Sequence, residues 1–102
     1  MTIQNRNTAL TIGTTQVIVS PRIPEATRKV LVLTNVSTGT QRISIGINAA
    51  AVDSTSITLY PGDSWVESID AAFTPTTDEI TAVASAASAT LAIHERIDVP
   101  GV

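Results

Sequence analysis

Between Arg42 and Asn48 the chain alternates strictly, with Ile43, Ile45 and Ile47 on one side and Arg42, Ser44, Gly46 and Asn48 on the other. A period of two belongs to a strand with one covered face. Lys29–Asn35 instead carries four consecutive aliphatics, Val30-Leu31-Val32-Leu33, which predicts a strand buried on both faces. The intervening Ser37-Thr38-Gly39-Thr40 reads as a turn, so the two segments predict a hairpin. Upstream, Ala9–Ile12 and Gln16–Val19 flank a Gly13-Thr14-Thr15 turn. Pro21 and Pro24 cannot donate to a ladder, so Ser20–Thr27 reads as a loop or edge segment.

Ala49–Ser54 is small and polar and predicts a loop. Ser56–Leu59 and Ser64–Ile69 are short strand candidates on either side of Tyr60-Pro61-Gly62-Asp63, a turn written by proline followed by glycine. Ala72–Asp78 reads as a loop around Pro75. Glu79–Ser85 and Thr90–Ile97 close the series. Alanine favours helix, so residues 80–92 admit a short helix as the competing reading. The alternation of Ile80, Ala82 and Ala84 with Thr81, Val83 and Ser85 favours the strand, with Ser85–Ser88 as its turn.

Seven or eight short strands with a turn every eight to twelve residues predict an all-β fold, a single β-sandwich of jelly-roll-like or immunoglobulin-like topology. The expected division is a polar arm over residues 1–7 and a sandwich domain over 8–102. Composition agrees. Ile and Val number 22 against 5 Leu, and branching at Cβ favours the extended backbone. Charged residues make up only 15%, so the 16 Thr and 9 Ser must supply much of the polar surface.

The net charge of −3 and six scattered basic residues argue against nucleic acid or an anionic membrane as partner. There is no cysteine, which excludes disulfides and thiolate metal sites within these residues. The polar start lacks the apolar stretch of a signal peptide, which predicts synthesis in the cytoplasm without export by the usual route. His94 is the only histidine, and no nucleophile-elbow pattern accompanies it. With Leu91 and Ile93 facing one way, His94 should face the other, beside Ala92 and Arg96. The acidic residues show neither zinc nor calcium spacing. The expectation is a non-enzymatic protein with no cofactor and no metal.

The order Val30-Leu31-Val32-Leu33-Thr34-Asn35, Ile43-Ser44-Ile45-Gly46, Ile57–Trp65, Ile80–Ser85 and Ala89–Arg96 resembles small head-associated accessory proteins of tailed bacteriophages, the decoration or cement class. The resemblance spans Lys29–Arg96. It implies a virion protein on the outer capsid surface, made in the host cytoplasm. Its partner would be the major capsid protein at subunit junctions, with self-association as a dimer or trimer. In that role the contact residues would be Thr2, Ile3 and Arg6 in the arm, Arg22 in the proline segment, and the aromatics Tyr60 and Trp65. Trp65 and Phe73 have a core-filling alternative. The other readings of the same composition are a carbohydrate- or receptor-binding module of a tail fibre or adhesin, and a tail or baseplate component.

Overall fold

The computed structural model describes residues 2–21, 27–53, 56–68 and 77–99. Eight strands run in chain order: β1 Thr2–Ile12, β2 Val17–Ser20, β3 Thr27–Asn35, β4 Ile43–Ile47, β5 Ile57–Leu59, β6 Ser64–Ser68, β7 Ile80–Ala84 and β8 Ala89–Val99. They form two antiparallel four-stranded sheets, β1-β8-β3-β6 and β2-β7-β4-β5. Strand 1 pairs with 8, 2 with 7, 3 with 6 and 4 with 5. That order is an eight-strand ribbon folded back on itself and wrapped into a sandwich, the jelly roll. It decides between the two topologies that strand count alone leaves open.

The core lies between the sheets. Ile12, Val19, Leu31, Leu33, Ile43, Ile45, Leu59, Ile80, Leu91 and Ile93 fill it, with Ala82, Ala84 and Ala89 where the sheets approach. The alternation in β4 is realised directly, since Ile43 and Ile45 point inward. In β3, Leu31 and Leu33 are fully buried, but Val30 and Val32 are only half-buried. The run of four aliphatics therefore has one core face, not two.

Residues 80–92 contain no helix. Alanine's helical preference is overridden because β7 pairs on both sides, with β2 and with β4, and every one of its side chains is buried. Ser88, at φ 65°, makes the turn into β8. The segment expected as a polar arm is also strand. Thr2–Asn7 pairs with His94–Val99 as the first half of β1, because β8 extends far enough to template it.

The outer face of the second sheet is covered by the chain that follows β4. Thr81 Oγ1 donates to the Ala49 carbonyl at 2.8 Å, and the Ala51 N–H donates to Gln16 Oε1 at 2.8 Å. Gly46 permits this approach, for a Cβ there would stand 2.5 Å from the Ala49 carbonyl oxygen and 2.8 Å from the Ala51 nitrogen. Arg42 grips Asp53 through two nitrogens at 3.0 and 2.9 Å and anchors the far end of this cover.

Candidate interaction surfaces

Two features stand out as able to engage a partner: the edge strands of the sheets and the outer face of the β1-β8-β3-β6 sheet. A strand at an edge keeps one row of main-chain donors and acceptors unpaired, which is a template for another strand. β1 presents the longest such row. Its 11 residues pair with β8 without a register shift, and none of them is proline. Among the described residues neither a bulge nor a proline interrupts it, and Arg6 is its one charged side chain.

The neighbouring edge, β2, is closed. Its pairing with β7 shifts register between Ile18 and Ser20, and Arg6 Nη1 donates to the Val19 carbonyl at 3.0 Å. Arg6 thus ties the edge of one sheet to the edge of the other. It is steered by Glu95, whose Oε1 lies 3.6 Å from Arg6 Nη1. Glu95 is itself buried, and its Oε2 accepts from Arg28 Nε at 2.7 Å and from Ser20 Oγ at 2.8 Å. Arg28 Nη2 donates to Ser20 Oγ at 2.7 Å and completes the ring.

Arg28 is fully buried, and a bulge explains how it points inward. Leu31, Leu33 and Asn35 set the inward phase of β3, which on a strict period of two would expose Arg28. The register against β8 shifts between Arg28 and Val30, so Lys29 is the extra residue and Arg28 turns to the core side.

On the outer face of the first sheet, neighbouring strands place Asn7, His94, Val32 and Val66 in one row. Ala9, Ala92, Thr34 and Ser64 form the next row, and Asn5, Arg96, Val30 and Ser68 the row on the other side. The ring Nδ1 of His94 bonds to Asn7 Oδ1 at 2.6 Å, and Arg96 Nε donates to Asn5 Oδ1 at 2.9 Å. Small side chains at Ala92 and Thr34 leave an open pocket of about 250 Å³ beside His94, Asn7 and Val32.

The sequence-predicted contact residues are dispersed over this framework. Thr2 and Ile3 lie in β1, opposite Val99 and Asp98. Arg6 sits on the closed β1/β2 side as an internal strap. Tyr60 projects from the β5–β6 turn with 58% of its surface exposed. Trp65 does not project, because its register opposite Leu33 turns it toward the core, where it packs and donates from Nε1 to Glu67 at 3.0 Å. Arg22 and Phe73 lie outside the described residues. His94 faces outward, as the phase of Leu91 and Ile93 requires. Among the described residues no three of His, Cys, Asp and Glu gather into a metal-binding group.

The Glu95–Arg28–Ser20 ring is the feature that reading the sequence missed. Glu95 was legible in principle, since Leu91, Ile93 and Glu95 share one phase of β8. Arg28 was not, because a one-residue bulge leaves no compositional mark.

No family model matches the chain, and no curated protein matches it. Its fold is similar to a solved chain from Bacillus endospore appendages, described as forming a novel family of disulfide-linked pili. The TM-score is 0.67 at 20% identity, over 96% of this chain and 88% of that one. At that identity the likeness concerns the fold.

Proposed function

We propose that this chain is a non-enzymatic structural subunit that joins copies of itself edge to edge into an extended surface assembly. The observation that carries this reading is the unbroken eleven-residue edge strand β1 together with the edge strand β6 that lies across the sheet from it. Three antiparallel pairings separate β1 from β6, so the two edge strands run in opposite directions. A copy displaced sideways and rotated about the direction of growth, as the twist of the sheet requires, brings its β1 antiparallel to β6 of its neighbour. The sheet then continues across the junction with its ordinary hydrogen-bond pattern. The fold it shares with a pilus chain supports self-assembly in general.

The 102 residues contain no cysteine, so the disulfide links named for the pilus have no counterpart in them. Association here is non-covalent. Weak contacts repeated on a lattice gain through multivalency. The more specific reading is decoration of an existing lattice: the outer surface of a tailed-phage head, with the major capsid protein as partner. The strand-and-turn order over Lys29–Arg96 supports it.

Sedimentation velocity of the purified chain over a wide concentration range, with negative-stain electron microscopy of the concentrated sample, tests the general reading. The expected result is growth beyond a dimer into ribbons, fibres or sheets. A monomer or closed dimer at every concentration overturns edge-to-edge growth. Binding of that protein to isolated phage heads would then leave decoration standing alone.

A further inference from the structure

The β5–β6 turn is built as a rigid projection. Pro61 and the positive φ of Gly62, 91°, give the backbone of a type II turn. The Tyr60 N–H donates to Asp63 Oδ2 at 3.1 Å, and the Asp63 N–H donates back to the Tyr60 carbonyl at 2.8 Å. Two more bonds fasten the turn to β3: the Gly62 N–H donates to the Asn35 carbonyl at 2.7 Å, and the Asn35 N–H donates to the Asp63 carbonyl at 3.0 Å. This bracing holds out an exposed phenol and an exposed carboxylate. Tyr60 is the most exposed of the large hydrophobic side chains among the described residues. A pre-ordered aromatic of this kind loses little freedom on binding, which is what an interface anchor requires.

The outer face of the first sheet carries the matching shape. The open pocket beside His94 has a volume of about 250 Å³. A cavity of about 150 Å³ accepts a benzene ring, whereas drug-sized ligands occupy about 300 Å³ or more. The volume is in the range of a single ring, which this pocket, being open, would cover on one side only. Ala92 and Val32 are among its apolar lining residues, and His94 and Asn7 among its polar ones. An amide oxygen only accepts, so the 2.6 Å contact with Asn7 Oδ1 makes His94 the donor at Nδ1. In the neutral imidazole Nε2 is then an acceptor, the complement of a phenol O–H.

Charge continues the match. Arg96 is exposed two residues beyond His94 on the same face, about 7 Å along the strand. Tyr60 and Asp63 occupy the first and last positions of one turn, whose Cα atoms lie within about 7 Å of each other. The Cα separations of the two pairs are thus of the same order.

We propose that the Tyr60–Asp63 turn of one copy docks on the outer sheet face of a second copy, with the Tyr60 ring in the His94 pocket and the Asp63 carboxylate facing Arg96. The contact rests on the reading that copies of this chain associate, and it names a second junction besides the strand edges. Each copy carries both the turn and the pocket, so the contact can close reciprocally about a two-fold axis or repeat head-to-tail.

The test follows backbone amide signals of the full chain by NMR across a concentration series, with sedimentation alongside. Expected are concentration-dependent shifts at Asn7, Ala92, His94 and the Tyr60–Asp63 turn. Tyr60→Ala and Ala92→Leu, which removes the ring or fills the pocket, should each weaken that response about tenfold or more. An equimolar mixture of the two variants retains one intact turn and one intact pocket, so it should recover part of the His94 response that each variant alone loses. Fibres that persist in both variants, with His94 unmoved by concentration, overturn the docking and leave edge pairing in place. Shifts at His94 in a chain that never grows beyond small oligomers support the docking and overturn edge pairing. A His94 signal that moves only when a soluble saccharide is added assigns the pocket another occupant and overturns the docking.

Discussion

Glu95→Ala is expected to lower the unfolding free energy by about 3–5 kcal/mol, the cost of removing one member of a buried ion pair. Arg28 is fully buried, and Glu95 is 2% exposed. Removing the carboxylate takes away the acceptor of Arg28 Nε and Ser20 Oγ, together with the negative charge that steers Arg6. The stability of a small domain is only about 5–15 kcal/mol, so the loss consumes a large share of it. Glu95→Gln keeps an acceptor but not the charge and should fall between the variant and the parent. Pairing Glu95→Leu with Arg28→Met removes both charges, and it should recover most of what the single change loses. Urea unfolding of the four proteins provides the comparison. A single-variant loss below about 1 kcal/mol contradicts the role given to this ring.

Asn35→Ala is expected to lose about 2–4 kcal/mol through three bonds made by one buried side chain. Asn35 Nδ2 donates to the Gln41 carbonyl at 2.8 Å and to the Leu59 carbonyl at 2.9 Å, while Oδ1 accepts from the Ser37 N–H at 3.0 Å. The side chain thereby fastens the β3–β4 connection to the end of β5. Its backbone holds the Tyr60–Asp63 turn from the other side. Asn35→Asp offers acceptors only, so it should fail at Gln41 and Leu59 while sparing the Ser37 contact. Urea unfolding gives the magnitude, and amide exchange at Ser37 and Gly62 locates the damage. If Asn35→Asp matches the parent in stability, the two donated bonds carry little and this reading of the residue fails.

The strands were legible because a half-buried strand writes its own period. Ile43, Ile45 and Ile47 declare β4, and Leu31 and Leu33 declare the core face of β3. Turns with a steric requirement were legible too, Pro61-Gly62 above all. The jelly-roll order was not, because which strands become neighbours depends on contacts far apart in the chain. The first half of β1 was hidden for a related reason. Gln4, Asn5, Arg6 and Asn7 lack an apolar face, and β8 holds them in the sheet by main-chain pairing. Of the contact residues, Tyr60 was placed outside by its turn, whereas Trp65 went inward on the phase of Leu33. The pocket beside His94 arises from small residues on two strands, Ala92 and Thr34, and becomes visible only once their register is set.

Amide hydrogen exchange, compared between dilute and concentrated protein, tests edge-to-edge association most directly. The account predicts slowed exchange along Thr2–Ile12 of β1 and Ser64–Ser68 of β6 as the protein assembles, with β2 unchanged behind its bulge and Arg6. Assembly that leaves β1 and β6 unprotected, or protection that falls on β2 instead, contradicts it.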